Sequence, residues 1–249
     1  MKSYKNKVKN NFDSASDSYD AVSIIQCRSA QILAQKLYDA VPTFMPKTIL
    51  DVGCGTGHMT AQLIAQYPLS NYGLNDISRN MLKKAQERLE KNVRVHTINA
   101  DMEKFPFPPY DLIVSNFVLQ WAEDLQRTLK KLYEASNVLA FTCLLKGTFD
   151  EFFIRLPDNS DNKKEGILKY PTEEEVKKFL ETLPAKNYFI WHENFPIYFK
   201  NIRDFFYYIK NLGARVNHNQ FSYSVLKSLL QEKGEFITYY RVLFVIIIK

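Results

Sequence analysis

The chain has 249 residues, of which 46% are hydrophobic, 14% aromatic and 24% charged, and this composition excludes a disordered chain and a collagen-like repeat. Thirty-three Lys and Arg against 27 Asp and Glu leave a net charge of +6. That excess favours acidic partners, although it does not separate nucleic acid from an acidic protein or an anionic small molecule.

Cysteine usage and the two ends of the chain bear on its location. Cys27, Cys54 and Cys143 form no CxxC pair, and the four histidines lack metal-ligand spacing, so neither a disulfide framework nor a metal site is predicted. No apolar run follows the lysines of the first ten residues, which argues against a secretory signal. The closing VLFVIIIK is far shorter than the ~20 apolar residues of a membrane span and favours a buried strand. We therefore expect a cytoplasmic protein without membrane contact.

Apolar runs alternate with helical patterns through the first part of the chain. Residues 10–41 are predicted as two helical pieces, which we expect to form a lid. After them, the predicted strands are 48–53, 71–76, 93–101, 110–117 and 137–145, and the predicted helices are 58–67, 79–91 and 125–136. This alternation predicts an α/β fold with a parallel sheet and helices on both faces.

The rest of the chain is predicted to complete one domain spanning 1–249. An exposed loop at 147–170 precedes a helix at 171–183, which Pro171 and Thr172 begin. Strands are predicted at 187–199 and 237–248, with helices at 201–212 and 222–232 between them. We assign 1–41 to the lid, 45–145 to a cofactor-binding core, 146–236 to a substrate-side insertion with helices, and 237–249 to the last strand.

The segment DVGCGTG joins the first strand to the first helix of the core. Gly53, Gly55 and Gly57 permit a tight turn with positive φ and let the backbone approach a ligand closely. The spacing GxGxG differs from the GxGxxG of dinucleotide sites, and Asp51 beside the loop suits a ligand with a cationic amine rather than a phosphate.

Two further aspartates end the following strands. Asp76, at the end of the second strand, can accept both hydroxyls of a ribose. Asp101, at the end of the third, can accept from an adenine amino group. Each alone fits a turn residue equally well, but together with the glycines they favour a nucleoside-containing ligand.

This set resembles the class I S-adenosylmethionine-dependent methyltransferases. The resemblance implies a Rossmann-like, seven-stranded sheet whose last strand is antiparallel. It also implies that the glycines lie under the methionine part of S-adenosylmethionine, that Ile77 and Met81 flank the adenine, and that Met102 lies beside Asp101. SNFVLQW, which follows the fourth strand, lacks the NPPY run typical of amino-group methyltransferases of nucleic-acid bases, and so weakens a role on DNA.

A second resemblance covers almost the whole chain. FDSASDSYD, SIIQCRSA, SNFVLQW, IKNLGARVNHN and ITYYRVLFV are together similar to the malonyl-acyl-carrier-protein O-methyltransferase family of biotin synthesis. One departure is that Cys27 follows Gln26 where that family tends to have a basic residue, which leaves the role of Arg28 open. The resemblance implies methylation of the free carboxylate of a malonyl thioester, carried by an acidic acyl carrier protein or by CoA.

The resemblance also implies roles for residues outside the glycine loop. Tyr19, Gln26 and Asn116 are assigned to the cofactor. Lys210 is expected to attract the malonyl carboxylate, while Gln120 and Trp121 shape the pocket and Tyr19 closes it. Carrier docking is assigned to Lys200, Arg203 and Arg215. No catalytic side chain is expected, because a carboxylate is already ionised at pH 7 and alignment and desolvation suffice.

Purely structural roles for these residues and other functions for the protein stay open at this stage. Trp121 also fits a core position, Lys210 and the docking residues fit a solvated helix face, and Tyr19 fits ordinary packing. The alternative functions are a carboxyl O-methyltransferase of free acids, an RNA methyltransferase favoured only by the charge, and a non-catalytic S-adenosylmethionine-binding module.

Overall fold

The computed structural model describes residues 4–89, 94–155, 170–214, 227, 229–231 and 234–249. Its helices are α1 (Tyr4–Ala15), α2 (Tyr19–Val22), α3 (Ile24–Ala40), α4 (His58–Gln66), α5 (Arg79–Arg88), α6 (Leu125–Glu134), α7 (Asp150–Phe153), α8 (Glu173–Glu181) and α9 (Ile202–Asn211). Its strands are β1 (Thr48–Val52), β2 (Asn71–Asp76), β3 (Arg94–Asn99), β4 (Tyr110–Ser115), β5 (Ser136–Leu144), β6 (Asn187–Phe199) and β7 (Phe236–Ile248). A short 3₁₀ helix spans Leu119–Trp121.

The strands form one sheet in the order β3-β2-β1-β4-β5-β7-β6. Strands β1 to β5 pair in parallel, whereas β7 runs antiparallel to both β5 and β6. The sheet predicted from the sequence, with its antiparallel last strand, is therefore confirmed.

The end of the chain forms the most deeply buried part of this sheet. Phe244 and Ile246 pack in the layer on one face of the sheet, and Leu243 and Val245 pack in the layer on the other. Each of these four side chains has 0% of its surface exposed. A β-branched, apolar run without alternating polar residues suits a strand buried on both faces, which is why VLFVIIIK lies inside the protein.

The predicted strands and most predicted helices of the described residues are confirmed, with shifts of a few residues at their ends. The helix predicted at 171–183 begins with a capping box, in which Thr172 accepts from the Glu175 backbone N–H and Glu175 accepts from that of Thr172. The helix predicted at 222–232 lies mostly outside the described residues.

Two segments differ from the prediction. Before β1 there are three helices rather than two, because Ser16 and Ser18 each donate a side-chain hydrogen bond to a nearby backbone carbonyl, which competes with helix continuation. The loop predicted at 147–170 contains α7, because Phe152 is fully buried and stacks on Phe205 of α9 with ring centroids 4.5 Å apart.

The topology determines where a ligand can bind. The chain continues from β1 to β2 and β3 on one side and then places β4 on the other side of β1, so the strand order reverses between β1 and β4. Open α/β sheets bind ligands in the crevice at such a point, beyond the carboxyl ends of the strands. Among the described helices, none is long and apolar enough to cross a membrane.

Candidate functional site

The loop between β1 and α4 adopts backbone conformations that favour glycine. Gly53, Gly55 and Gly57 have φ values of +67°, +54° and +85°. A Cβ atom on Gly53 would lie 2.3 Å from Val118 Cγ1, whereas one on Gly55 would meet nothing within 4 Å. The glycines are therefore needed for the turn, and Gly55 leaves the main chain open to close approach by a ligand.

Asp76 connects this loop to the end of β2. Its carboxylate accepts the backbone N–H of Gly55 at 3.0 Å and that of Ser78 at 2.8 Å. A carboxylate offers about four acceptor positions, so two remain for ligand hydroxyls. Burial raises the pKa of Asp76 to about 6, against the opposing effect of its backbone hydrogen bonds.

Asp51 lies at the end of β1 with 1% of its surface exposed. Its carboxylate accepts a hydrogen bond from Thr60 Oγ1 at 2.6 Å. Burial raises the pKa of Asp51 to about 7, and the neighbouring Asp76 carboxylate adds to that rise. A cation placed beside these two carboxylates would favour their ionised forms, so the pair suits a positively charged ligand.

The predicted cofactor residues come together around one cavity at the carboxyl ends of the strands, which we call the first cavity. Gly57 is the exception, because it forms the N-cap of α4 and faces Ala85. The predicted residues that line the first cavity are Tyr19, Gln26, Asp51, Gly53, Gly55, Asp76, Ile77, Met81, Asp101, Met102 and Asn116.

Helices α1 and α2 lie over this cavity and are held to the core by polar contacts. Asp13 accepts a hydrogen bond from Ser78 Oγ at 2.7 Å. Asp20 accepts one from Thr56 Oγ1 at 2.6 Å and forms an ion pair with Arg88. The amino-terminal segment therefore covers the glycine loop as the lid prediction requires.

A second cavity adjoins the first and shares six lining residues with it, Val8, Phe12, Tyr19, Gln26, Phe117 and Trp121. Gln120 also lines it and donates to the Phe117 carbonyl at 2.7 Å. Trp121 lies edge-on to Phe12 of α1, with ring centroids 5.4 Å apart. None of the described residues that line the second cavity is Asp or Glu, and Lys7 is its charged member.

The remaining predicted residues that the structure describes line neither cavity. Lys210 is exposed on the outer face of α9 and lines neither cavity, so its role with the malonyl carboxylate stays a prediction that this placement does not favour. Lys200 and Arg203 are exposed beside it, and Arg215 lies outside the described residues. Arg28 lies 5.6 Å from the centroid of the Phe195 ring.

The sequence analysis missed several residues of the second cavity. Tyr240 of β7 and Tyr170 both line it, and neither was given a role. Phe117 lines both cavities and has a φ of +58°, which is uncommon for a residue other than glycine. The signal available for Tyr240 was a second hydroxyl, beside Thr238, on a strand face whose following residues, Val242, Phe244 and Ile246, are apolar.

Comparison with known proteins identifies the family. Residues 49–137 match the methyltransferase domain family. A malonyl-acyl-carrier-protein O-methyltransferase of Neorickettsia risticii is 35% identical to the chain, covering 94% of the chain and 92% of the relative. The chain belongs to the malonyl-acyl-carrier-protein O-methyltransferase family. The enzyme of that name from Anoxybacillus flavithermus is 29% identical, with 92% and 88% covered.

Solved structures give the same fold at low sequence identity. Magnesium protoporphyrin IX methyltransferase from Synechocystis, solved with bound S-adenosylmethionine, superposes with a TM-score of 0.55 at 13% identity, covering 100% of this chain and 99% of that one. The plantazolicin methyltransferase, in complex with S-adenosylhomocysteine, gives a TM-score of 0.54 at 17% identity over 98% and 90%. This member of the family is a methyltransferase that uses S-adenosylmethionine as methyl donor.

The first cavity fits that donor. S-adenosylmethionine carries a sulfonium, an ammonium and a carboxylate, and its net positive charge suits a cavity that Asp51, Asp76 and Asp101 line. The open space at Gly55 allows the main chain to approach it.

Replacing Asp76 with Ala tests the proposed ribose contact. We expect the affinity for S-adenosylmethionine to fall about tenfold or more, because hydroxyls lose a charged acceptor. Isothermal titration calorimetry measures this affinity. The matched control is Asp111→Ala, which removes a carboxylate that also accepts two backbone N–H groups, those of Lys47 and Thr48, but lines neither cavity. Equal affinity losses in the two variants would contradict the assignment of Asp76.

The raised pKa of Asp51 predicts a pH dependence of cofactor binding. The cationic donor prefers the ionised carboxylate, so its affinity should rise several-fold between pH 6 and pH 7.5 as Asp51 ionises. Burial lowers the pKa of His58, which also lines the cavity, from its ordinary value, so the Asp51→Asn variant is needed to separate the two groups. Asp51→Asn should flatten the profile, and an unchanged slope in that variant would exclude Asp51 as its source.

In the protein without ligand, the same raised pKa makes the folding stability fall as the pH rises, whereas the affinity for the cofactor is expected to rise. A carboxyl whose folded pKa is raised from 3.8 to about 7 contributes stability that is fully present at low pH and is lost as the pH rises through 7. Asp51→Asn should therefore raise the melting temperature at pH 7.5 more than at pH 5, as measured by differential scanning calorimetry.

Proposed function

We propose that this enzyme transfers the methyl group of S-adenosylmethionine to the free carboxylate of a malonyl thioester on an acyl carrier protein, in biotin precursor synthesis. The names of its relatives support this substrate. The structural observation that carries the proposal is the contrast between the two adjoining cavities. The first contains three aspartates suited to a cationic donor, and the second has no carboxylate among its described lining residues, which suits an anionic acceptor.

The residues of the first cavity have distinct parts in this proposal. Gly53 and Gly55 would lie under the methionine part of the donor, and Asp51 would attract its charge. Asp76 would accept from the ribose hydroxyls, and Asp101 from the adenine amine. The adenine ring would lie between Ile77 and Met81, with Met102 beside it, while Tyr19, Gln26 and Asn116 complete the wall.

The reaction needs no general base from the protein. When bound, S-adenosylmethionine supplies a methyl group that the carboxylate oxygen attacks, so an O–C bond forms, the C–S bond breaks, and its electron pair stays on sulfur. The acceptor carboxyl has an ordinary pKa near 4 and is already ionised at pH 7. The protein therefore contributes alignment and exclusion of water, and helices α1 and α2 cover the place where the two cavities meet.

We further propose that the chain acts as one methyltransferase domain and resides in the cytoplasm. Its first 41 residues provide the lid, and the segment after β5 provides α9, whose inner residue Ile209 lines the second cavity together with Leu212, which directly follows the helix.

The substrate can be tested directly with methyl-labelled S-adenosylmethionine. Malonyl-carrier protein, malonyl-CoA and free malonate are compared as acceptors, and acetyl-carrier protein, which lacks the free carboxylate, is the matched control. We expect labelled methyl ester on a malonyl thioester and none on the acetyl form. Transfer to free malonate or another free acid but to no malonyl thioester would replace the proposal with a small-molecule carboxyl methyltransferase.

Carrier docking is proposed for the outer face of α9. The inner residue Ile209 of this helix lines the second cavity, so a carrier bound at the outer face would be one helix away from the proposed acceptor pocket. Arg203 and Lys210 are both exposed there, and Lys200 precedes the helix. An acidic carrier surface complements these cations, and charges at the rim of an interface mainly raise the association rate.

Charge reversal tests this surface. The double variant Arg203→Glu, Lys210→Glu should raise the KM for malonyl-carrier protein roughly tenfold at low salt, while the KM for malonyl-CoA and for S-adenosylmethionine stays unchanged. Lys130→Glu, on the exposed side of α6 and away from both cavities, is the control. Equal effects on the carrier and CoA substrates, or no effect on either, would reject the docking face.

A further inference from the structure

The second cavity contains a buried hydroxyl that the proposed function has not yet used. Tyr240 of β7 lines this cavity and has 3% of its surface exposed. Its strand neighbours on the same face, Val242 and Phe244, are apolar. A tyrosine buried among such residues normally has a partner for its hydroxyl, because an unpaired buried polar group is unfavourable.

Tyr240 accepts a hydrogen bond from its partner, so its own hydroxyl hydrogen stays available for a bond to another group. The hydroxyl of Tyr208, on α9, donates to the Tyr240 oxygen at 3.3 Å. Because that oxygen accepts the bond, the hydroxyl hydrogen of Tyr240 is not used in it and can point into the second cavity that Tyr240 lines. The donor that results is fixed in the wall of the second cavity.

Gln26 adds a second incompletely paired group at the same place. Its side chain contacts the hydroxyls of both Tyr208 and Tyr240. It lines both cavities, and its Oε1 atom is buried without a hydrogen-bond partner among the described residues. The two ends of an amide exchange by a 180° rotation, so Gln26 can present its N–H₂ group where Oε1 now lies.

The reaction itself favours neutral donors over a cation at this position. The acceptor carboxylate and the sulfonium are both charged before the transfer and both neutral after it. A buried Lys or Arg would stabilise the starting carboxylate more than the transition state, and so would slow the chemical step. Burial raises the pKa of both Tyr240 and Tyr208, so these phenols stay protonated and remain donors at neutral pH.

We propose that Tyr240, with Gln26 beside it, holds the malonyl carboxylate through the oxygen that is not methylated. Tyr208 acts as a positioning residue, because it donates to Tyr240 and directs the Tyr240 hydrogen into the cavity. This inference rests on the proposed malonyl thioester substrate. It assigns the carboxylate to the junction of the two cavities, where Gln26 lines both, rather than to the exposed Lys210.

The test is Tyr240→Phe, which keeps the ring and removes the hydroxyl. With S-adenosylhomocysteine bound, the affinities for malonyl-carrier protein and for its methyl ester are measured by calorimetry. The variant should lower the preference for the carboxylate over the ester about tenfold, because only the carboxylate loses a charge-assisted hydrogen bond. In turnover, its kcat should fall while the KM for S-adenosylmethionine is unchanged.

Tyr72→Phe is the matched control. It removes a buried hydroxyl that donates to the Tyr67 carbonyl at 2.7 Å and lines neither cavity, so it should leave the preference unchanged. If Tyr240→Phe fails to fold, Tyr208→Phe tests the same arrangement from a half-buried position and should lower the preference two- to threefold. Folded variants with an unchanged preference would overturn the role of Tyr240. Failure of the unsubstituted enzyme to bind or methylate any malonyl thioester would instead overturn the proposed function.

Discussion

The arrangement of the site depends on two carboxylates, Asp51 and Asp76, that are buried beside a loop formed by glycines. Burial disfavours their ionised forms, as the raised pKa values of both groups show. Asp76 nevertheless accepts a backbone N–H from Gly55, and this bond joins the β1–α4 loop to the end of β2. The protein thus holds acidic groups in a place where a bound cation improves their electrostatics, so that ligand binding and loop structure support each other.

The contrast between the cavities follows from the same electrostatics. Carboxylates gathered at the ends of β1, β2 and β3 attract a cationic donor, but they would repel an anionic acceptor brought close to it. The second cavity is built instead from aromatic and apolar side chains of α1, β7 and α9, with hydroxyl groups, amide groups and the ammonium of Lys7 as its polar members. An anionic acceptor can therefore approach the junction through the second cavity without passing a carboxylate among the described residues that line it.

The parts of the site that the sequence predicted are those that depend on local structure. A glycine turn after a strand requires only its own backbone, and strand-end residues such as Asp76 and Asp101 meet because the carboxyl ends of parallel strands lie at one edge of a sheet. Those features predicted that the loop glycines and the strand-end aspartates line the first cavity, and they do so except for Gly57, which forms a helix cap. The lining residues from α1, such as Lys5 and Val8, were not predicted.

The second cavity depends on tertiary packing, which a single sequence does not specify. Lys210 and Ile209 are neighbours on α9, and only the packing of that helix decides that Ile209 lines the cavity while Lys210 faces outward. Tyr240 faces the cavity because β7 pairs antiparallel with β5 in one register, and a shift by one residue would turn its side chain to the other face. The break between α1 and α2 likewise depends on serine side chains that bond to the backbone rather than on hydrophobic periodicity.

The amino-terminal helices must satisfy two opposed demands, since they exclude water during transfer yet have to admit both substrates. The contacts that attach these helices to the core are consistent with both demands. Asp17 pairs with Lys84 at 2.9 Å, and Asp20 pairs with Arg88, at positions that are largely open to solvent. Surface ion pairs of this kind contribute ~0–1 kcal/mol each. Each of these two ion pairs therefore adds little to the free energy of separating α1 and α2 from the glycine loop, while the edge-on contact between Phe12 and Trp121 covers the junction of the cavities when the segment is in place.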